Sequence, residues 1–213
     1  MLNKAYIALI AAATLSAFVA GCGTLTSAEH GRQLYETCMP CHGKEGTGDL
    51  ALRAPAIAGL PKWYVAAQLT KFKTDVRGAH PDDMEGHRMR PMARSLTGKN
   101  DIEDVAGFVA AMPAKWQAPD FAMADTAAGG THFRSICVTC HGDNAMGNEA
   151  LGAPPLVNQH DWYMVAQLRK FQSGMRGSNP DDVFGAQMRA MSMTLADSVA
   201  MHDVVSYVKS LPH

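Results

Sequence analysis

The sequence has almost no net charge, and this excludes one large class of function. Its 213 residues include 19 lysine and arginine residues against 20 aspartate and glutamate residues, a formal net charge of −1. Residues 29–113 carry 11 basic and 11 acidic side chains, and residues 129–213 carry 6 and 7. A nucleic-acid-binding domain needs a basic face, which neither half provides. Long-range electrostatic steering of a partner should also be weak.

The sequence also lacks the alternation of apolar and polar residues that is typical of half-buried strands. Helical spacing is present instead. Intervals of four, three and four residues predict a helix over Trp63–Val76, with one apolar face formed by Val65, Leu69, Phe72 and Val76. A second helix is predicted over Asp101–Met112, with Pro113 as its stop. The predicted fold class is therefore all-α.

Cysteine is scarce, and four of the five cysteines lie in two pentapeptides of the form C-x-x-C-H, residues 38–42 and 137–141. Thiols three positions apart can add to the two vinyl groups of one porphyrin, and the histidine that follows then lies under the iron. Two covalently bound haem c groups are predicted, on Cys38 and Cys41 beside His42 and on Cys140 and Cys137 beside His141. A zinc site or a redox dithiol explains the cysteine pairs but not the histidine after both. No cysteine pair remains for a disulfide.

The chain is duplicated at a spacing of 99 residues without a gap. Residues 63–72 fall on residues 162–171, and the segment 31–37 before the first motif falls on residues 130–136. Solenoid repeats have periods of roughly 20–50 residues, so this is a repeated domain. The predicted domains are residues 29–113 and 129–213, joined by an alanine- and proline-containing linker over residues 114–128. Each domain is small for a core built on apolar burial alone, and a porphyrin would add apolar volume.

The N-terminal residues have the pattern of an export signal, with Lys4 followed by an uncharged and mostly apolar stretch. Residues 1–21 are predicted to be a lipoprotein-type signal peptide cleaved before Cys22, because residues 19–22 (Val-Ala-Gly-Cys) resemble a bacterial lipobox. Residues 22–28 would then form a tether from the lipid. The alternatives are an ordinary signal peptide cut after Ala28 and an uncleaved anchor, although a spanning helix needs about 20 apolar residues. The expected location is the periplasmic side of a bacterial membrane, lipid-anchored or otherwise soluble in the periplasm.

Two pairs of methionines are candidates for the ligand on the other face of each iron. Met89 and Met188 each lie 47 residues after the motif histidine of their own half. Met92 and Met191 also match, and the sequence favours the first pair. A thioether ligand favours ferrous iron and raises the reduction potential.

Histidine ligation of both irons is not supported, because the remaining histidines near these segments do not recur. His87 and His80 of the first half align with Ala186 and Asn179, and His160 of the second half aligns with Pro61.

Other recurring residues have two interpretations each. Pro55 and Pro154 either present a backbone carbonyl to the haem-ligating histidine or only shape the loop. Arg77 and Arg176 pair with haem propionates or with the neighbouring domain, or are solvated.

Two aromatic pairs also recur at the start of the predicted helices. One interpretation is that they pack on the haem edge and donate a hydrogen bond to a propionate, and the other is that they only pack the start of the helix. The pairs are Trp63 with Tyr64 and Trp162 with Tyr163.

These features together resemble the dihaem cytochrome c4 family. The resemblance covers residues 29–213 and rests on the tandem C-x-x-C-H motifs, the paired Trp-Tyr-x-x-x-Gln-Leu helices and the Met-x-x-Met segments. It implies two class I cytochrome c folds related by pseudo-twofold symmetry, with the propionate edges facing each other. It also implies axial ligation by His42 with Met89 and by His141 with Met188.

The resemblance further implies electron transfer in a bacterial respiratory chain, to a membrane terminal oxidase. The expected partners are redox proteins, namely an oxidase, a cytochrome bc complex or a dehydrogenase, and neither nucleic acid nor a small-molecule substrate is expected. The lipobox suggests a membrane-tethered carrier. The main alternative is the electron-accepting subunit of a periplasmic dehydrogenase of thiosulfate or alcohol. A dihaem peroxidase would need an open iron site, and the matched methionines argue against such an enzyme.

Overall fold

A computed structural model describes residues 25–212 as two helical domains in tandem. The helices of the first domain are Ser27–Tyr35 (α1), Met39–His42 (α2), Lys62–Lys73 (α3), Met84–Arg94 (α4) and Asp101–Ala111 (α5). Those of the second are Thr126–His132 (α6), Val138–His141 (α7), Asp161–Gln172 (α8), Val183–Ser192 (α9) and Ser198–Ser210 (α10). A π-helix, Phe133–Cys137, lies between α6 and α7, and a 3₁₀-helix spans Glu149–Leu151.

The predicted all-α fold with two repeated domains is confirmed. Within residues 25–212, β-structure is limited to two isolated bridges, between residues 49 and 54 and between residues 148 and 153. No helix of this part of the chain is both long and apolar enough to span a membrane. The predicted signal peptide, residues 1–21, and Cys22 lie outside the described residues.

The core of the first domain forms where α3 and α1 pack on α5. The buried apolar face of α5 consists of Val105 and Val109, each 2 % exposed. Tyr35 at the end of α1 is 1 % exposed and packs its ring 5.4 Å from that of Phe108. Burying large side chains such as these contributes about 1.5–3 kcal/mol each.

Helix α3 ends three residues before the predicted Val76. Thr74 still donates its N–H to the Thr70 carbonyl, but Asp75 then adopts a left-handed conformation with φ of 65°. A left-handed residue after the last turn is a common way to end a helix. Val76 therefore lies outside the helix whose apolar face it was expected to extend.

The prediction that the repeat has no gap is wrong at the start of the second domain, where the register is shifted by one residue. Gly31 of α1 packs against the Asp104 carbonyl, and the residue that packs in the same way against Asp203 is Gly129. Gly130, the residue aligned with Gly31 by the 99-residue spacing, instead faces the ring of Tyr207.

The extra residue between α6 and the second motif is accommodated in the π-helix, Phe133–Cys137. A single π-helical turn inserts one residue without breaking the helix. As a result Phe133, four residues before Cys137, packs 5.4 Å from Tyr207, as Tyr35 packs against Phe108.

The segment between the domains is bound to the second domain from Gln117 onward. The carboxylate of Asp161, which is fully buried, accepts the N–H groups of Asp120 at 2.8 Å and Phe121 at 3.1 Å. Lys209 is 4 % exposed and donates to the carbonyls of Gln117 and Gln159 at 2.5 and 3.0 Å. The last three residues of the predicted linker, 126–128, form the first turn of α6.

Candidate functional site

Each C-x-x-C-H motif folds as one helical turn that ends in a left-handed glycine. In the first motif the N–H of His42 donates to the Cys38 carbonyl at 3.0 Å, and Gly43 follows with φ of 79°. Residues three apart share one face of a helix, so the Cys38 and Cys41 thiols lie on one face. The second motif repeats this geometry in α7, with Gly142 at φ of 77°.

The histidine of each motif is buried and held through its Nδ1 atom. Nδ1 of His42 lies 2.9 Å from the carbonyl oxygen of Pro55, and Nδ1 of His141 lies 3.0 Å from that of Pro154. A carbonyl can only accept, so Nδ1 carries the proton and Nε2 keeps its lone pair. Burial lowers the pKa of His42 and of His141, which also keeps each imidazole neutral. Each is therefore prepared to bind a metal through Nε2.

The first thiol of each motif is a poor candidate for redox chemistry. Burial raises the pKa of the Cys38 thiol to about 11, and the nearby Cys41 adds to the shift. Burial and Cys140 do the same for Cys137, to about 11. A redox dithiol needs a thiolate near neutral pH and therefore a lowered pKa. Among residues 25–212 there is also no group of three or more histidine, cysteine, aspartate and glutamate residues suited to a metal ion.

One continuous cavity of about 360 Å³ extends from the first motif to the second. Most of its walls are apolar, with Val65, Leu69 and Phe72 in the first domain and their counterparts Met164, Leu168 and Phe171 in the second. Both pairs of thiols and both imidazoles open onto it. An apolar cavity with thiols and an imidazole on its wall fits a covalently attached porphyrin.

All four candidate methionines line this cavity, but they differ in exposure. Met89 on α4 and Met188 on α9 are half-buried, whereas Met92 and Met191 are each 41 % exposed. A ligand to a water-excluded iron should be the more buried of the two. The burial pattern therefore favours Met89 and Met188.

The aromatic pairs of the two domains are not equivalent. Tyr64, Trp162 and Tyr163 line the cavity, but Trp63 does not. Trp162 is 8 % exposed, and its Nε1 atom is buried without a hydrogen-bond partner in the described part of the chain. A buried donor without a partner is costly, and a haem propionate is an acceptor of the kind it would need.

The recurring arginines lie buried where the two domains meet. Arg77 donates to Gln68 at 2.7 Å in its own domain and to Gln167 and Tyr163 of the other domain, both at 3.0 Å. Arg176 donates to the same two glutamines, Gln167 at 2.9 Å and Gln68 at 3.1 Å. Each glutamine oxygen thus accepts from both guanidinium groups. The two domains therefore make the same contacts to each other, as expected for pseudo-twofold symmetry.

The arginine layer also fits the acidic edge of a haem. Both guanidinium groups are 8 % exposed, and within residues 25–212 neither forms a salt bridge with a carboxylate. Nε of Arg176 is buried without a partner there. Buried cations are normally paired with anions, and both arginines line the cavity. The carboxylates of a porphyrin would complete this pairing.

Two sets of residues at this site had no predicted role. Gln68 and Gln167 lie in the repeated helix, and the pairs Lys71–Asp182 and Lys170–Asp83 join the domains. Their signal in the sequence is the same 99-residue recurrence that marks the motifs. Recurrence shows that a position matters, but it does not show that its partner lies in the other copy.

Comparison with known proteins gives a consistent result. The sequence model described as "Cytochrome c" matches residues 28–113 and 126–212. The chain is 35% identical over 176 residues to a thiosulfate dehydrogenase electron acceptor of Stutzerimonas stutzeri, covering 76% of each chain. It is 26% identical over 220 residues to cytochrome c4 of Azotobacter vinelandii, covering 99% of this chain and 100% of that one. The structure of reduced cytochrome c4 from Pseudomonas stutzeri superposes with a TM-score of 0.69 at 28% identity, covering 87% of this chain and 98% of that chain.

Proposed function

The chain belongs to the cytochrome c family, and from that premise we propose that it passes electrons to a membrane terminal oxidase from a partner on the periplasmic side. It carries two covalently bound haem c groups and is a dihaem electron carrier of the cytochrome c4 type. The observation that supports the proposal best is the duplicated donor set, in which each domain has two thiols, an imidazole and a half-buried methionine on the walls of one cavity.

The proposed attachment follows the motifs. Cys38 and Cys41 hold one haem and Cys137 and Cys140 the other, through thioether bonds that replace the thiols. His42 and His141 bind the irons through Nε2, and their Nδ1 bonds to proline carbonyls fix the orientation of each ring. Met89 and Met188 would supply the second protein ligand of each iron.

Haem c supplies a one-electron iron couple when it is bound. The chain's own side chains do the rest. Apolar residues such as Val65 and Phe72 exclude water, and Arg77 with Arg176 supplies positive charge at the buried domain boundary. With two protein ligands on each iron, no position is left for a substrate, so the proposed role is a carrier and not an enzyme.

An optical spectrum of the purified oxidised protein tests this ligation. The weak near-infrared band of sulfur-to-iron charge transfer is expected at the intensity of two haems, and the resting protein should not bind cyanide rapidly. A band at half intensity, together with a high-spin signal, would mean that one iron is open. That result would move a dihaem peroxidase ahead of the carrier.

The oxidase as acceptor rests on the likeness to cytochrome c4 over the whole chain. Its test is oxygen consumption by membranes that contain the terminal oxidase, supplied with the reduced full-length protein. Oxidation of the protein that keeps pace with oxygen uptake supports the proposal. No oxidation above the rate with heat-inactivated membranes contradicts it.

A second candidate is the electron acceptor of a thiosulfate dehydrogenase, because a protein of that name is 35% identical over 176 residues. The test is reduction of the oxidised protein by thiosulfate in the presence of a purified thiosulfate dehydrogenase. Rapid reduction of both haems favours this candidate, and copurification with such a catalytic subunit would strengthen it.

The lipid anchor at Cys22 is also proposed, and it rests on the sequence of residues 19–22. Cys22→Ser should move the mature protein from the membrane fraction to the soluble periplasmic fraction while leaving its haem content unchanged. Continued membrane association of that variant would contradict lipidation at this residue.

A further inference from the structure

We infer that each methionine-bearing helix is held in position by a lysine of the other domain, Lys170 for α4 and Lys71 for α9. The two lysines are positioning residues for the axial methionines. This inference rests on the proposed ligation by Met89 and Met188. It adds a connection by which one domain controls the iron ligand of the other.

The first contact is made at the start of α4. Asp83 is 3 % exposed, and its Oδ1 accepts the N–H of Gly86 at 3.0 Å, which caps the helix. The same Oδ1 accepts Nζ of Lys170, which belongs to α8 of the second domain, at 2.5 Å. Lys170 also donates to Glu85 at 2.8 Å.

The second contact is the symmetry mate of the first. Asp182 is 1 % exposed, its Oδ1 accepts the N–H of Gly185 at 2.9 Å, and it accepts Nζ of Lys71 at 2.6 Å. Phe184 stands where the first domain has Glu85, so among residues 25–212 Lys71 has one carboxylate partner where Lys170 has two.

The lysine is needed because the capping carboxylate is buried. A carboxylate at a helix N-terminus is stabilised by the free N–H groups and the helix dipole. A buried charge still requires an opposite charge, and removal of one partner of a buried pair is strongly destabilising. Without Lys170 the buried Asp83 carboxylate loses this opposite charge, and the start of α4 must move so that water or another cation reaches it.

Movement of this turn reaches the methionine directly. Met89 lies six residues after Asp83 on the same helix, about 9 Å along its axis at 1.5 Å per residue. Met188 lies six residues after Asp182 on α9. The first turn is packed closely on the backbone of Gly78, since a Cβ at Gly86 would lie 2.5 Å from Cα of Gly78, and it has little room to rearrange independently of the rest of the helix. Loss of the lysine should therefore move the helix as a whole and lengthen the path from the thioether to the iron.

The test uses the full-length protein with both haems and the variant Lys170→Met, which keeps the aliphatic stem. The probe is imidazole, which displaces a weakly held methionine from ferric iron. Methyl signals of the two ligated methionines in the ferric protein, assigned with Met89→Leu and Met188→Leu, disappear as imidazole binds and show which haem has lost its methionine. The affinity of the first-domain haem for imidazole should rise about tenfold, with no change in the second domain. In Lys71→Met the affinity of the second-domain haem for imidazole should rise, and that of the first-domain haem should not change.

A matched control and a rescue define the effect. Lys62→Met removes an exposed lysine that pairs with Glu103 at 2.9 Å, and it should leave both haems unchanged. Lys170→Arg should restore the wild-type affinity. The inference is overturned if Lys170→Met alters neither haem, or alters the haem of its own domain alone.

A second variant is needed if Lys170→Met does not fold with both haems attached. Asp83→Asn retains the cap, since asparagine caps a helix about as well as aspartate, and leaves Lys170 paired with Glu85. In the Asp83→Asn background, Lys170→Met removes the Glu85 contact alone and should change the imidazole affinity much less than it does in the wild type. An equally large change in that background would show that Lys170 does not act through Asp83. The wild-type near-infrared band, measured first, separates failure of this inference from failure of the proposed ligation.

Discussion

The α-carbon of Gly129 in α6 lies so close to the backbone of Asp203 in α10 that a Cβ on it would be 1.9 Å from the Asp203 carbonyl oxygen. No side chain fits in that space, and the three nearest atoms all belong to the backbone of Asp203 and Val204. Gly129→Ala should therefore push α6 off α10 and lower the free energy of unfolding by about 1–3 kcal/mol. Guanidinium unfolding followed by the Soret band measures this change.

Gly107 in α5 is the matched control for this substitution. A Cβ there would come no closer than 3.9 Å to another residue, the flexible Lys62 side chain. Because alanine is a better helix former than glycine, Gly107→Ala should stabilise the protein by about 0.5–1 kcal/mol. A loss of similar size in both variants would mean that the close approach of α6 and α10 is not the cause.

The π-helix before the second motif should be removable. Deletion of the exposed Ser135 leaves Phe133 three residues before the cysteine, the spacing that Tyr35 has from Cys38. The deletion variant should keep both haems, measured as the pyridine haemochrome, and stay within about 1 kcal/mol of the wild-type stability. Deletion of Glu36 in the first domain should instead rotate Tyr35 out of the core and cost about 3–5 kcal/mol.

The hydroxyl of Tyr35 links α1 to the first motif by donating to the Gly43 carbonyl at 2.6 Å. Phe133 occupies the corresponding place in the second domain, so the ring alone is compatible with the fold. Tyr35→Phe should cost about 1 kcal/mol. Burial raises the pKa of Tyr35 to about 12. The unfolded chain thus loses this proton at lower pH than the folded one does, and stability should fall as the pH rises from about 10 to 12.

The pH dependence in that range distinguishes the folded-state contact from a general alkaline effect. In Tyr35→Phe the part of the decline that comes from this residue should be absent, so the two stability curves converge as the pH rises. Measurements on the ferrous protein avoid displacement of the methionine ligands. Parallel curves for the two proteins would show that Tyr35 ionises alike in the folded and unfolded chains.

The buried indole of Trp162 should set the potential of the second haem. Trp162 lines the cavity and its buried Nε1 has no partner among the described residues, so we expect it to donate to a haem carboxylate. Loss of this bond in Trp162→Phe leaves more negative charge near the iron and should lower one of the two potentials. A hydrogen bond of about 1 kcal/mol corresponds to about 40 mV for one electron.

Trp63→Phe is the internal comparison for that measurement, because Trp63 does not line the cavity. Spectroelectrochemical titration should show no change in either potential for this variant. Equal shifts in both variants would assign the effect to packing at the helix start and not to the indole proton.

The sequence predicts those parts of the site that are local in the chain. One helical turn contains both thiols and the imidazole of a motif, so the residue order alone determines their arrangement. The histidine–proline contact spans 13 residues and could be proposed because both prolines recur. The lysine–carboxylate contacts join residues 111 and 87 positions apart, and no pattern within one repeat contains them.

The one-residue shift before the second motif could not be predicted from the sequence, for a different reason. Gly129 and Gly130 are adjacent glycines, so an alignment without a gap still places a glycine opposite Gly31. Backbone hydrogen bonds, and not side-chain types, distinguish the π-turn from the α-turn. The register could be read only from the packing of α6 on α10.

The bonds that hold residues 117–121 against the second domain have a kinetic consequence. A free tether would let each haem domain explore a volume set by the length of the chain between them. Here Asp161 and Lys209 bind that segment, and the arginine layer binds the domains to each other. The effective concentration of one redox centre near the other is then set by a fixed geometry and not by diffusion on a linker. Internal exchange of an electron should accordingly be independent of solvent viscosity, whereas exchange with any external partner should not.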